Sequence, residues 1–387
     1  MMNRFKDLLS EVVIIGVGMA KFGKFPDRPV ADIGQEAVVE ALKDAQIDKK
    51  EIEAAYCGTA RAGRIVGQRI LKDIGLTRIP IVNNENACSS GATAFREACI
   101  AVGAGLYDTA LVIGVERLSK IVKGVIPLDR DDVEVNQGLT MPALYAMRAQ
   151  RYMHDYSLTR EQLALVAVKS RKNAALNPKS QFQEPVTVEQ VLNSRMVADP
   201  FTLLMCCPNG DGAAAAIICR KDKAAKYTTK PIFVRSSVLN SGYYETGFRD
   251  MTSPEITVRA AREAYETAGL GPEDISIAEV HDAFVISELL YYEALGFCGR
   301  GEAGKLITEG QTEINGRIPV NTDGGLLSKG HPLGATGVSQ IAEVVWQLRN
   351  QAGPRQVNNP RVGLTHCTGG GLSGLDHGAC TINILSL

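Results

Sequence analysis

Cys88 is the residue of this chain best placed for nucleophilic chemistry. It lies in Asn84-Glu-Asn-Ala-Cys88-Ser-Ser-Gly-Ala-Thr-Ala-Phe-Arg96, between Ile79–Val82, an apolar stretch that reads as strand, and Gly91–Val102, whose apolar residues recur at helical spacing. A thiol at a helix start faces unpaired N–H groups and the positive end of the helix dipole, which favour an anion and lower its pKa. Ala87, Ser89, Ser90 and Gly91 are small and leave room for a substrate. On position alone, Cys88 reads equally well as a small buried apolar residue. The nucleophile reading needs partners.

Three other stretches offer them: His281 in Glu279-Val-His-Asp-Ala-Phe284, His331 in Gly330-His-Pro332, and His366 with Cys367 in Thr365-His-Cys-Thr-Gly-Gly-Gly371. Alone, each histidine reads as a satisfied structural group. Beside a cysteine nucleophile the set gains meaning, because a thiol needs a proton acceptor, an acyl thioester needs an oxyanion site, and a second thiol or imidazole can move the other proton.

The elements that must carry these groups alternate strand with helix. Val12–Gly18 and Ala54–Gly58 are buried-type strands, Val30–Ala45 is an amphipathic helix with Ile33, Ala37, Val38, Ala41, Leu42 and Ala45 on one face, and Ala110–Val115 is a further apolar run. This is an α/β layer pattern. Gly16-Val-Gly18 lacks the third glycine and the acidic strand end of a dinucleotide loop. The order then repeats: Glu40–Ile52 matches Glu263–Ile275 without a gap, each followed by a strand, and the helix opened by Gly330-His331-Pro332 is the counterpart of the one opened by Cys88. Two such halves would bring two helix starts together.

The predicted division is a first half over 1–117, continued at 198–224, an inserted segment over 118–197, and a second half over 225–387. The insertion carries Met141, Tyr145, Met147, Tyr152, Met153 and Tyr156 at mostly helical spacing, then a helix over 159–175. Such a stripe is either core or an adaptable substrate-lining surface.

Composition narrows the class. The 387 residues, 45% hydrophobic and 22% charged, suffice for two globular halves, and a net charge of −1 argues against a broad basic surface for nucleic acid. Nine scattered cysteines without a C-x-x-C pair predict neither a disulfide framework nor a zinc site, and a reducing compartment. Asp7 and Glu11 interrupt the start, the run Val12–Val17 is short for a signal core, and the C-terminal residues Ile384-Leu-Ser-Leu387 are no peroxisomal address. The expectation is a cytoplasmic protein without a membrane span.

Asn86-Ala-Cys-Ser-Ser-Gly91, Gly114-Val-Glu-Arg-Leu-Ser119, His281-Asp-Ala-Phe284, Asn321 through Gly330-His-Pro-Leu-Gly-Ala-Thr-Gly337, and Cys367-Thr-Gly-Gly-Gly371 resemble the thiolase superfamily, nearest its sterol-carrier-protein-type branch, over almost the whole chain. The resemblance implies a five-layered αβαβα fold of two duplicated halves with an inserted loop domain. It also implies an acyl-CoA C-acyltransferase that cleaves a 3-oxoacyl-CoA with coenzyme A or runs the reverse condensation. Cys88 would be the acylated nucleophile, His331 its activating partner, His281 an organiser of the oxyanion site, Cys367 the acid/base group, and the N–H groups of Cys88 and Gly369 a second oxyanion site.

Met141, Tyr145, Met147 and Lys329 are expected to line the substrate. Coenzyme A enters as substrate, with no resident metal or cofactor. His366, beside Cys367, could share or displace its role. A homodimer is implied, and some relatives act with a small OB-fold, zinc-ribbon partner, including members handling bulky aromatic acyl groups such as benzoylsuccinyl-CoA. The alternatives are an aldolase-like relative or C-acetyltransferase with a non-CoA nucleophile, and an inactive scaffold subunit.

Overall fold

The computed structural model describes residues 2–228, 230–243, 249–371 and 377–387. Its strands are β1 (Val12–Met19), β2 (Ala54–Gly58), β3 (Ile81–Asn84), β4 (Thr109–Arg117), β5 (Met196–Ala198), β6 (Phe201–Thr202), β7 (Asp211–Arg220), β8 (Ile232–Ser241), β9 (Ile277–Glu279), β10 (Val362–Gly369) and β11 (Ala379–Ser386). All but the β5–β6 ribbon join in one sheet of order β3-β2-β4-β7-β1-β8-β11-β10-β9. β3 begins two residues later than the sequence predicts, after Pro80, which has no N–H to give a ladder.

The duplication is written in this order. Outward from the β1–β8 junction, β1-β7-β4-β2 and β8-β11-β10-β9 run through the same senses, antiparallel, antiparallel, then parallel. β3 beside β2 is answered by a parallel bridge between Ala278 and Val320. The sequence repeat falls on the ends of helices Val30–Ala45 and Glu255–Ala268, where Gln46 and Gly269 occupy the same left-handed cap at φ 53° and 70°. Glycine takes that conformation without strain, whereas the first half places a side chain there.

Strand alternation sorts the apolar side chains into layers. Val13 and Ile15 pack outward on Ile33, Ala37 and Ala41 of helix Val30–Ala45, whereas Val12, Ile14 and Val17 pack inward with the two central helices, Ser90–Gly103 and Leu333–Leu348. On the far side Ile382 and Ile384 meet Ile256, Ala260 and Ala264 of helix Glu255–Ala268. The result is helix, strand, helix pair, strand, helix. The central pair is buried nearly all round, and the polar residues it encloses, such as Gln340, Glu343 and Gln347, are hydrogen-bonded.

Glycine lets that pair touch: a Cβ on Gly91 would lie 2.3 Å from Gly334 O, and one on Gly337 2.6 Å from Ala92 Cβ. Close approach at the first turns brings both helix starts into one place.

The inserted helices, Met141–Tyr156 and Arg160–Ala175, pack with Val285–Ala294 of the second half. Residues 199–204, expected to return to the first half, instead supply β6, which pairs with β5 just before it, and Phe201 is stacked 5.8 Å from Phe284; the chain rejoins the sheet at Asp211. Among the described residues no helix is long and apolar enough to cross a membrane.

Candidate active site

Cys88 occupies a 3₁₀ turn, Ala87–Ser89, ahead of helix Ser90–Gly103. The turn is bent for the purpose: Ala87 sits at φ 49°, left-handed for a residue with a Cβ. Short polar side chains hold it, with Asn86 N–H donating to Ser90 Oγ (2.9 Å), Ser90 Oγ to Ala87 O (2.6 Å) and Asn86 Nδ2 to Thr93 Oγ1 (2.9 Å). Beneath it lies Gly369, where a Cβ would fall 2.1 Å from Asn86 O, so only glycine fits.

His331, at the start of the opposing helix, places Nε2 3.3 Å from Cys88 Sγ. Its other nitrogen is 2.8 Å from Thr336 Oγ1, which donates to Pro332 O at 3.1 Å. That hydroxyl proton is therefore spent, Nδ1–H donates to Thr336, and the bare Nε2 faces the thiol as an acceptor. Burial, then the nearby Lys329 charge, push the imidazole down to about 3, so it is neutral and able to take a proton.

Cys367, near the end of β10, has Sγ 3.4 Å from His281 Nδ1 and 3.2 Å from Cys88 O. The His281 and His331 rings meet edge to face at 5.0 Å, and donor atoms of Cys88, His281 and His331 lie within 4.8 Å of one another. Burial pushes the Cys367 thiol well up and holds His281 well below the usual imidazole range. Both are neutral proton carriers. The HDAF segment is fixed from below: Asn321, itself at φ 55°, accepts from Val280 N–H at 2.8 Å and donates to Glu288, while Asp282 accepts from Leu326 N–H at 2.7 Å.

Three expectations change. Although Cys88 keeps partial exposure, burial and then Glu116 push its thiol up to about 12, so the helix start does not deliver a resting thiolate. The amides directed at its sulfur are its own and that of Gly370, next to the Gly369 expected to serve the oxyanion site. Lys329 is fully buried, paired with Asp323 and 3.0 Å from Ser339 Oγ, so its charge supports the His331 loop from behind and is not at a substrate surface. His366 points to the opposite face of β10 from Cys367, with Nε2 3.0 Å from Thr257 Oγ1 and its ring 4.2 Å from Tyr291. Strand alternation separates the two neighbours.

Of the other lining candidates, Tyr145 is buried and stacked 4.6 Å from Phe284, Met141 is partly buried against the same cluster, and Met147 turns outward. Two residues went unassigned in the sequence. Glu116 accepts from Ala60 and Arg61 N–H and from Gly334 N–H at 3.3 Å, tying a loop to the His331 helix start; its only signal was its motif. His377 bridges Tyr145 and Gly370, and no pattern marked it.

The chain matches the family models "Thiolase, N-terminal domain" over residues 12–222 and "Thiolase C-terminal domain-like" over 241–377. It is 45% identical to "Acetyl-CoA acetyltransferase" of Methanothermobacter thermautotrophicus, covering 94% of this chain and 97% of that one. It is 43% identical to "Benzoylsuccinyl-CoA thiolase subunit BbsB" of Thauera aromatica, covering 96% and 98%. Among solved structures, "Ltp2-ChsH2(DUF35) aldolase" superposes with a TM-score of 0.83 at 28% identity over 98% of each chain. Human mitochondrial 3-ketoacyl-CoA thiolase, at 18% identity and TM-score 0.74, shares the fold over 98% of this chain and 99% of that one.

The two thiols, the two imidazoles and the duplicated five-layered frame thus belong to a thiolase. The chain is a member of that family and an acyltransferase.

Proposed function

We propose that this thiolase exchanges acyl groups between coenzyme A and carbon through an acyl-Cys88 intermediate, cleaving a 3-oxoacyl-CoA or running the reverse condensation. The observation that carries this is the pairing of two thiols with two neutral imidazoles, Cys88 with His331 at 3.3 Å and Cys367 with His281 at 3.4 Å. His331 takes the Cys88 proton as sulfur bonds to the 3-oxo carbon. The C2–C3 bond then breaks, and the leaving enolate takes its proton at C2 from Cys367. The incoming coenzyme A thiol returns a proton to Cys367 and attacks the acyl thioester; acyl-CoA leaves, and Cys88 recovers its proton from His331. Amide donors facing the reacting centre stabilise the charge that develops on oxygen.

The substrate is a bulky or aromatic 3-oxoacyl-CoA. The 43% identical benzoylsuccinyl-CoA relative supports this choice, and the HDAF segment is backed by a buried aromatic stack, Tyr145–Phe284–Phe201, with ring centres 4.6 and 5.8 Å apart. The protein acts in the cytoplasm as a homodimer, alone or with a small OB-fold, zinc-ribbon partner; a relative named as a subunit and the structure of a two-protein aldolase support the partner. Thiolysis across linear, branched and aromatic 3-oxoacyl-CoAs, with and without such a partner, tests the proposal. The largest kcat/KM belongs to an aromatic substrate; turnover of acetoacetyl-CoA alone contradicts that choice, and aldol cleavage without thiolysis favours the aldolase-like reading.

A further inference from the structure

His377 is buried and has no place in the proton transfers above, yet both ring nitrogens are engaged. Nδ1 is 3.1 Å from Gly370 O, and since a carbonyl only accepts, Nδ1 carries the proton. Nε2 is then an acceptor, and Tyr145 Oη donates to it at 3.0 Å. The tyrosine is clamped in turn, its ring stacked 4.6 Å from Phe284 and 5.6 Å from the Arg148 guanidinium.

At the other end of this relay is the backbone of Gly370. Gly370 follows the last residue of β10, has φ 65° and carries no side chain. Among the described residues, a Cβ built there would touch Ala87 Cβ alone, at 3.6 Å. Its N–H nevertheless is one of the two amides directed at Cys88 sulfur. A hydrogen bond to its carbonyl limits rotation of that residue.

We propose that His377 is a positioning residue for the Cys88 centre, holding Gly370 through its carbonyl so that the Gly370 N–H faces the sulfur, and anchoring that donor to the inserted helix through Tyr145. This deepens the acyl-transfer reading and, for its catalytic consequence, rests on it.

The two functions of the ring can be separated chemically. An asparagine amide can take the place of Nδ1–H and keep the bond to Gly370, whereas a glutamine amide reaches toward the Nε2 position and keeps only the tyrosine. His377→Asn, His377→Gln and His377→Ala are compared in the full-length protein by two single-turnover rates: alkylation of Cys88 by iodoacetamide at fixed pH, and acetylation of Cys88 by acetyl-CoA, both read by peptide mass.

His377→Ala and His377→Gln slow both reactions about tenfold, the scale of one hydrogen bond to a charged group, while His377→Asn stays near wild type and KM for coenzyme A is unchanged in all three. Thermal unfolding of each variant identifies loss of fold, and the Asn-to-Gln contrast stands even where the Ala variant does not fold. Equal rates for the Asn and Gln variants, or wild-type rates for Gln, overturn the inference. If the wild type is not acetylated at Cys88 but the alkylation contrast persists, acyl transfer fails and the positioning role holds; if the wild type is acetylated and the contrast is absent, the positioning role fails alone.

Discussion

The two halves of the molecule end in the same device, an enclosed helix whose first turn points to the centre, but they hold what they present in opposite ways. The Cys88 turn is tied mainly by short neutral side chains, Asn86, Ser90 and Thr93, around a left-handed Ala87 whose N–H donates to the Glu85 carboxylate at 2.7 Å. The His331 loop rests on buried charge: Lys329 pairs with Asp323, Arg355 donates to Glu343 at 2.8 Å, and Thr322 joins Glu279 to Glu343. A nucleophile must be approached by a substrate, so small side chains surround it. A base must stay neutral and aimed, and a fixed positive charge behind it disfavours the imidazolium.

The sharpest break in that comparison lies along β10, where neighbours face opposite layers. Cys367→Ala should still acylate at Cys88 but lose exchange of substrate α-hydrogens with solvent deuterium by about a hundred- to ten-thousand-fold, the range of a general acid/base group. His366→Ala should keep that exchange, because its imidazole lies against Thr257 on the other face. The reverse pattern would make His366 the proton carrier.

Next in size, Lys329→Met should leave Asp323 as an unpaired buried charge and cost about 3–5 kcal/mol of stability in denaturant unfolding. Ser90→Ala, in the Cys88 turn, should cost about 0.5–1.5 kcal/mol, the net worth of an ordinary hydrogen bond. Equal losses would mean that the halves are held alike.

His331→Ala should raise the barrier to acyl transfer by about 3 kcal/mol, within the hundred- to ten-thousand-fold range of a general base, without lowering the melting temperature in proportion. Activity lost only through melting would return His331 to a structural role.

The smallest test is pH. With the Cys88 thiol raised to about 12 by burial and Glu116, and by Glu85 to a lesser degree, its thiolate fraction rises with pH throughout the neutral and mildly alkaline range. His331, His281 and Cys367 beside it are neutral there. Iodoacetamide alkylation of the free enzyme should therefore climb about tenfold per unit from pH 7 to 9. A plateau near pH 7 would reveal a thiolate–imidazolium pair instead.

Much of this site was legible because it is local in the chain. Periodicity placed the Val30–Ala45 helix, the repeat marked two equivalent halves, and the Cys88, His331 and Cys367 motifs each sit at an element end. What eluded sequence reading depends on facing and distance. His366 and Cys367 are adjacent letters, and only the strand register says which face each takes. Lys329 looks like a free cation beside a catalytic loop until Asp323 is seen folded back on it. That the Gly370 amide faces the Cys88 sulfur is a matter of one peptide's direction, and His377 owes its Tyr145 partner to an inserted helix far away in sequence. The raised thiol of Cys88 has the same origin, since burial by the second half outweighs a local helix start.

The central claim is that Cys88 carries the acyl group. Incubation with acetyl-CoA followed by intact and peptide mass measurement should show one acetyl adduct per chain, located on Cys88, and none in Cys88→Ala, which should also be inactive. An adduct confined to another cysteine, or wild-type turnover by Cys88→Ala, would contradict the account.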